Sequence, residues 1–233
     1  MIQVTISYNV TEETYQKLDN LQTDIQLALY DYDLYKNKKD KILSKLEDNP
    51  KIRIVHLPLQ TLKIPVTEID KLINDIFIRT GCVNFVVHPN RGIEKFLRYF
   101  QKKSPQIICV ETFAWRRKKA LRTPLEIIDV CRWYNSTYMT IDTCHIEDIW
   151  FDHKIMSYLL KYTKVIHLSN RAKGFGSHIP FNHPHGELKL VSFVRELKFK
   201  YKWSGYIVLE YMAEYQDKLL KNYNYVKRLL EIE

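Results

Sequence analysis

The chain has 233 residues, 45% hydrophobic and 13% aromatic, which is enough apolar material to bury a substantial core and excludes a disordered composition. Its 36 Lys and Arg residues outnumber its 27 Asp and Glu residues, and the net charge of +9 indicates an anionic partner such as a nucleic acid or a phosphorylated sugar, although the basic clusters at 36–41 and 198–202 equally fit solvated helix faces. Apolar runs are too short to cross a membrane, no signal-peptide pattern starts the chain and the four cysteines lack metal-ligand pair spacing, so we expect a cytoplasmic protein with reduced thiols.

Taken in chain order, short apolar segments alternate with amphipathic or charged ones. Strands are predicted at residues 3–9, 24–31, 51–59, 83–90, 105–113, 136–145, 164–170 and 205–211. Helices are predicted at residues 11–21, 36–49, 66–81, 92–103, 123–134, 151–163, 188–202 and 215–232. Residues 24–31 leave two readings open, a strand or a continuation of the preceding helix. Residues 171–187 are predicted to form a long loop.

This alternation amounts to eight strand–helix units. Near-continuous apolar strands are typical of a parallel sheet that helices cover on its outer face. Eight such units predict an α/β fold, a (β/α)₈ TIM barrel. No linker or Pro/Gly-rich boundary divides the chain, so we expect a single domain over residues 1–233. A doubly wound open sheet is the alternative, but no Gly-rich phosphate loop follows the first strand.

Metal-ligand side chains stand at the ends of six consecutive predicted strands. In chain order these are His56, His88, Glu111, Asp142 with His145, His167 and Glu210. Because the carboxyl ends of barrel strands share one rim, we expect these side chains to converge there. Charged groups so near a barrel core are costly unless they are paired or bind metal. The pattern therefore predicts a divalent-metal site, with zinc expected first because mixed nitrogen and oxygen ligands suit Zn²⁺, Mn²⁺ or Co²⁺, and with Mg²⁺ as a further candidate.

The strand ends also resemble those of the xylose isomerase-like barrel superfamily, which contains endonuclease IV and the sugar isomerases and epimerases. The match runs most clearly from His56 to Glu210, and residues 142–145 read DTCH, the tetrapeptide found in endonuclease IV. The resemblance implies that four of these residues form the single metal site shared across the superfamily. They are Glu111, Asp142, His167 and Glu210.

Endonuclease IV uses further metal positions, and the resemblance extends to some of them. His56 and His88, with Glu111 as a bridging carboxylate, match its second site. Its third zinc would need His145 together with an Asp and a His in a D-x-H element. The candidate element here is GSHIPF, which supplies His178 but has Gly176 where the Asp should stand. His183 and His185 could replace the missing ligand.

The first functional hypothesis is a metal-dependent phosphodiesterase of the endonuclease IV type, which hydrolyses DNA at abasic sites. Two ions bridged by Glu111 would generate a hydroxide and stabilise the leaving oxygen. The basic loop at 115–122 follows Glu111 directly, so its side chains would face the same substrate. Arg116, Arg117 and Lys118 are candidates to hold backbone phosphates, and Trp115 is a candidate to stack on or wedge beside a base.

The second hypothesis is a sugar or sugar-phosphate isomerase or epimerase. Glu111 and Glu210 would exchange protons on opposite faces of one carbon, and His145 would bind a hydroxyl. Arg171 and the 115–119 cluster would clamp a small phosphorylated sugar. His56 and His88 favour the phosphodiesterase, because a single-ion isomerase does not need them as ligands. A binding protein on a decayed barrel is a third reading, disfavoured by the complete ligand set, and no obligate protein partner is evident.

Overall fold

The computed structural model describes residues 1–20, 23–47, 51–112, 121 and 123–231. In chain order its strands are β1 Ile2–Asn9, β2 Ile25–Ala28, β3 Ile52–His56, β4 Asn84–Val87, β5 Ile107–Glu111, β6 Thr137–Asp142, β7 Thr163–Leu168, β8 Asn170–Ala172, β9 Gly176–Ile179 and β10 Gly205–Leu209. Eight of them close a barrel in the order β1-β10-β7-β6-β5-β4-β3-β2, and every pairing in this barrel is parallel. The predicted α/β barrel is confirmed, and residues 25–28 form a strand rather than a helical extension.

Helices follow the barrel strands and cover the outside of the sheet. Within the described residues the α-helices are α1 Tyr32–Leu46, α2 Val66–Thr80, α3 Ile93–Phe100, α4 Pro124–Trp133, α5 His153–Leu159, α6 Leu190–Phe199 and α7 Leu219–Glu231. Short 3₁₀ helices lie at Tyr15–Asn20, Thr61–Lys63, Asp148–Phe151 and Ala213–Lys218. None of the helices described is long and apolar enough to span a bilayer.

Local sequence signals explain where two of these helices begin and end. Thr123 caps α4, because its side chain accepts a hydrogen bond from the backbone N–H of Glu126 while the Glu126 side chain accepts from the N–H of Thr123. Pro124 fills the first helical position, where no backbone N–H is needed. Gly81 ends α2 with a φ of 69°, a left-handed conformation that favours glycine.

The helix predicted at residues 11–21 is wrong in type and extent. After β1 the chain makes a turn and then only the 3₁₀ helix Tyr15–Asn20, while residues 21 and 22 lie outside the described part. The Thr11 hydroxyl accepts hydrogen bonds from the backbone N–H groups of Glu13 and Thr14, and the Thr14 hydroxyl donates to the carbonyl of Asn9. Thr11 therefore acts as the predicted cap, and its carbonyl also accepts from the N–H of Tyr15, but the chain after this turn continues as a 3₁₀ helix instead of an α-helix.

The predicted loop at 171–187 contains structure of its own. Strands β8 and β9 pair antiparallel as a hairpin that stands beyond the end of β7. Asn170 braces the return, because its side chain donates to the carbonyls of Phe181 and Leu188 and accepts from the N–H groups of Arg171 and Leu188. A Cβ at Gly186 would collide with the Asn170 amide, so glycine is required there. This hairpin carries His178, a candidate site residue, onto the rim.

The strand period explains how the site is positioned. One residue from each of five strands joins a separate buried apolar cluster made of Ile54, Val86, Cys109, Val165 and Val208. Two residues further along the chain, at or just past the ends of these strands, stand His56, His88, Glu111, His167 and Glu210. Because residues two apart in a strand share one face, the polar set forms a layer above the apolar one, at the carboxyl ends of the strands.

Candidate metal centre

Three overlapping groups of side chains could each hold an ion, and within each group the ligand atoms lie within 4.8 Å of one another. The first group is Glu111, Asp142, His167 and Glu210. The second is His56, His88 and Glu111, and the third is Asp142, Cys144, His145 and His178. The structure thus brings all eight residues predicted as metal ligands to the same rim, with Cys144 in addition.

Glu111 at the end of β5 links the first two groups. Its Oε1 lies 3.0 Å from Nδ1 of His167. Its Oε2 lies 3.0 Å from Nε2 of His56 and 2.8 Å from Nε2 of His88. Glu111 is only 3% exposed, so both oxygens are directed at protein groups rather than at solvent. One carboxylate therefore faces two separate sets of imidazoles.

In His56 and His167, the ring nitrogen that faces away from Glu111 (the far nitrogen) determines the tautomer of the ring. Nδ1 of His56 lies 2.9 Å from the backbone oxygen of Leu57, and Nε2 of His167 lies 2.9 Å from Oε1 of Gln26. Both oxygens can only accept, so each far nitrogen carries the proton. In a neutral ring the other nitrogen then points a lone pair at Glu111. Metal-bound histidines are typically held this way, with the outer N–H donated to a carbonyl or carboxylate oxygen.

Without an ion, protons on the imidazoles would have to balance the negative charge of the carboxylates in the first group. Nδ1 of His167 is also 2.8 Å from Oε2 of Glu210, but a single proton on Nδ1 serves one carboxylate and not both. Burial alone would lower the pKa of His167, but Glu210 and Glu111 outweigh it and raise that pKa well above its usual value. Burial would likewise raise the pKa of Glu111, but His88 and His167 outweigh it and lower that pKa. The site therefore demands positive charge at its centre.

Two carboxylate oxygens indicate where that charge would lie. Oδ2 of Asp142 receives no hydrogen bond from the described residues, whereas its Oδ1 accepts from the N–H of Cys144 at 3.1 Å. Oε2 of Glu210 lies 2.8 Å from Nδ1 of His167, which offers it no hydrogen when the ring is neutral and protonated on Nε2. Buried carboxylate oxygens without partners are costly, and coordination by a cation removes that cost. Three carboxylates and one imidazole supply the hard and intermediate ligands that a divalent ion such as Zn²⁺ or Mn²⁺ takes. The residues fit a resident divalent ion.

The third group joins the end of β6 to the β8–β9 hairpin. Nε2 of His178 lies 3.1 Å from Nε2 of His145, and the two atoms lie 3.8 and 3.6 Å from Oδ2 of Asp142. Position 176, where the resemblance calls for an Asp, is a left-handed glycine with a φ of 87°. Cys144 stands in the same group, although burial raises the pKa of its thiol. His183 and His185 instead pack with Phe175 at the hairpin.

A small cavity opens above these groups. Its volume is about 300 Å³. The residues that line it include Tyr30, Glu111, His145, His178 and Glu210. The cavity is at the lower end of the range for small-molecule sites, roughly 300–1,000 Å³.

Among the predicted phosphate-binding residues, Arg171 belongs to the described part of the chain, and it does not line this cavity. Arg171 donates hydrogen bonds to the carbonyls of Cys144 and Ile146 and pairs with the carboxylates of Asp148 and Glu187. Its charge is therefore already balanced, which weighs against a phosphate clamp. Trp115, Arg116, Arg117 and Lys118 lie outside the described residues.

Sequence reasoning missed two site residues, one in β2 and one just after it. Gln26 contacts His167, and the Tyr30 hydroxyl donates a hydrogen bond to Oε1 of Glu210. Neither side chain is a usual metal ligand, so a search for ligands at strand ends passes over them. The signal that could have found them is position, because Tyr30 ends the predicted strand 24–31 just as Glu210 follows β10.

No protein-family model matches this chain, and no curated protein matches it. Solved structures do match over nearly all of it. The 3-keto-D-glucoside 4-epimerase from E. coli is 11% identical, with a TM-score of 0.66 over 99% of both chains. A xylose isomerase domain containing protein from Salmonella typhimurium is 15% identical, with a TM-score of 0.62 over 97% of both chains. The IolI protein with a binding zinc atom is 12% identical, with a TM-score of 0.67 over 97% of this chain and 98% of that chain. At these identities the likeness shows the fold alone, which is the predicted (β/α)₈ barrel.

Proposed function

We propose that the protein is a divalent-metal-dependent isomerase or epimerase that acts on a sugar or a sugar phosphate. The observation that carries the proposal is the pair of carboxylates, Glu111 and Glu210, which meet at Nδ1 of His167 and both line one small cavity. Structure neighbours named as sugar epimerases support this reading over the phosphodiesterase.

The first group of side chains would hold the ion. Its members are Glu111, Asp142, His167 and Glu210. When bound there, a divalent ion would polarise the carbonyl and the neighbouring hydroxyl of a substrate, which makes the hydrogen on the adjacent carbon more acidic. Every other part of the chemistry falls to the chain's own side chains.

Proton transfer is assigned to the two glutamates. Epimerisation or isomerisation removes a proton from one carbon and returns one to it or to its neighbour, so it needs a base and an acid near the same carbon. Glu111 and Glu210 come from β5 and from the end of β10, so they approach the cavity from different parts of the rim. His145 and His178 also line the cavity and would hydrogen-bond substrate hydroxyls.

Solvent hydrogen exchange tests this function with a panel of sugars rather than a single substrate. Metal-loaded protein would be incubated in D₂O with D-allulose, D-tagatose and a ketose phosphate, and the sugars analysed by NMR. We expect deuterium at a carbon next to the carbonyl, and loss of this exchange by at least about 100-fold in Glu111→Gln and in Glu210→Gln. Wild-type exchange rates in both variants would refute the assignment of the two glutamates.

A second candidate function is favoured by one specific observation. Glu111 presents Oε2 to His56 and His88 while Oε1 faces the first group, as a carboxylate that bridges two ions would. Two ions held this way suit phosphodiester hydrolysis. Cleavage of an abasic-site oligonucleotide by zinc-loaded protein, lost in His56→Ala, would support this candidate over the sugar enzyme.

A further inference from the structure

Strand β2 and the residues after it place two polar side chains behind the candidate ligands. Gln26 is completely buried, and its Oε1 lies 2.9 Å from Nε2 of His167. Tyr30 donates its hydroxyl hydrogen to Oε1 of Glu210. Each contact is made to the atom of the ligand residue that faces away from the shared centre at Nδ1 of His167.

We propose that Gln26 and Tyr30 are positioning residues that fix how His167 and Glu210 present themselves to a divalent ion. The inference rests on the metal-binding part of the proposed function, but it does not depend on which substrate the protein takes. It applies equally to a sugar enzyme and to a phosphodiesterase, because both would use the group that contains His167 and Glu210.

Gln26 acts on the tautomer of His167. With its amide oxygen towards the ring, Gln26 accepts the Nε2 hydrogen and leaves the Nδ1 lone pair directed at Glu111 and Glu210. With the amide turned over, its NH₂ would face Nε2 and the ring hydrogen would move to Nδ1, where it would exclude a cation. Nε2 of Gln26 has no partner among the described residues, so no other hydrogen bond there opposes the turned orientation. A carboxylate at position 26 would have no donor orientation at all.

Tyr30 acts on the rotation of the Glu210 carboxylate. Its hydroxyl occupies Oε1, which leaves Oε2 as the oxygen 2.8 Å from Nδ1 of His167. The Tyr30 ring also packs edge-on against His56, with ring centroids 4.9 Å apart, so the ring is held from a second side. Removing the hydroxyl alone would free the carboxylate to turn without emptying the space that the ring fills.

Two matched controls separate this role from general effects of mutation. Gln106 is also a buried glutamine, and its side chain contacts Asn74 rather than the site. Tyr35 is a buried tyrosine of α1 whose hydroxyl has no hydrogen-bond partner among the described residues. Gln106→Leu and Tyr35→Phe therefore make the same chemical changes as Gln26→Leu and Tyr30→Phe, but away from the ligands.

The test is zinc affinity, measured on each purified variant by competition with a chromophoric chelator. Loss of an outer partner of a metal ligand typically weakens binding by about 10–100-fold. We expect Gln26→Leu to fall in this range, Tyr30→Phe to weaken binding by about 10-fold, and both controls to match wild type. Gln26→Glu should bind zinc at least as tightly as wild type, because it keeps the acceptor.

The zinc affinities distinguish failure of the metal-dependent function from failure of the positioning role. If wild-type protein binds no zinc, the metal-dependent function itself fails. If wild type binds zinc and Gln26→Leu matches Gln106→Leu, the positioning role of Gln26 is refuted while the function stands. Nitrogen-15 NMR of the zinc-loaded protein gives an independent readout, in which His167 should carry its hydrogen on Nε2, and a hydrogen on Nδ1 would overturn the proposal.

Discussion

Glu111 Oε2 lies 2.8 Å from Nε2 of His88, while Oε1 of the same carboxylate lies 3.0 Å from Nδ1 of His167. The two imidazoles belong to different candidate metal groups and come from the ends of β4 and β7. A single side chain thus joins both groups, and its loss should affect each of them.

Glu111→Gln is therefore expected to abolish turnover and to lower the metal content of the purified protein. The amide keeps the size of the side chain but removes the charge that attracts the ion and one of its ligand oxygens. Elemental analysis of the variant measures the metal content. The matched control is Glu214→Gln, an exposed glutamate in the 3₁₀ helix Ala213–Lys218, which should keep its metal. Full metal retention and wild-type turnover in Glu111→Gln would remove the proposed site.

Replacing both His56 and His88 with Ala discriminates between the two candidate functions. The sugar enzyme should keep its ion, because the four residues of the first group remain, and much of its turnover should persist. The phosphodiesterase should lose one ion and fall by orders of magnitude in cleavage of an abasic-site oligonucleotide. Elemental analysis of wild type and of the double variant gives the number of ions bound per chain in each. Loss of one ion together with loss of cleavage would transfer the assignment to the second candidate.

Asn170→Ala should destabilise the hairpin that carries His178. Asn170 is 1% exposed, and its side chain satisfies two carbonyls and two N–H groups of the return loop. Buried groups left without partners cost about 1–3 kcal/mol each, so we expect at least about 2 kcal/mol lower stability in urea unfolding. The exposed Asn135→Ala should change stability by less than about 0.5 kcal/mol. Equal stabilities of the two variants would contradict this role of Asn170.

Thr123→Ala should lower stability by about 1 kcal/mol, because it removes the side-chain half of the capping box that starts α4. Urea denaturation measures the change. Thr123→Asp keeps an acceptor oxygen at the cap and should recover most of it. A Thr123→Asp variant as unstable as Thr123→Ala would show that the hydrogen bond to Glu126 is not what stabilises this helix end.

The strand ends could be predicted from the sequence because their physical cause is local. Apolar residues two positions before His56, Glu111 and His167 mark the inner face of each strand, and the period of two carries each polar residue to the same rim. The barrel and the convergence of these polar side chains at one rim could therefore both be predicted from the strand pattern.

The remaining features depend on partners that are distant in sequence. The ion pairs of Arg171 with Asp148 and Glu187 could not be predicted, because these partners lie 23 and 16 residues away in the sequence. Gln26 gains its meaning from His167, which lies on a strand 141 residues away. The helix predicted at 11–21 has the Thr11 cap that the sequence indicates, but it continues as the 3₁₀ helix Tyr15–Asn20, which apolar spacing does not distinguish from an α-helix.

The first group of side chains is expected to hold one divalent ion, and anomalous diffraction from crystals of zinc-loaded protein tests this claim. We predict an anomalous peak within about 2.0–2.2 Å of Nδ1 of His167 and of carboxylate oxygens from Glu111, Asp142 and Glu210. A crystal grown in excess zinc with no peak among these four residues, and with His167 Nδ1 still hydrogen-bonded to Glu111, would contradict the claim.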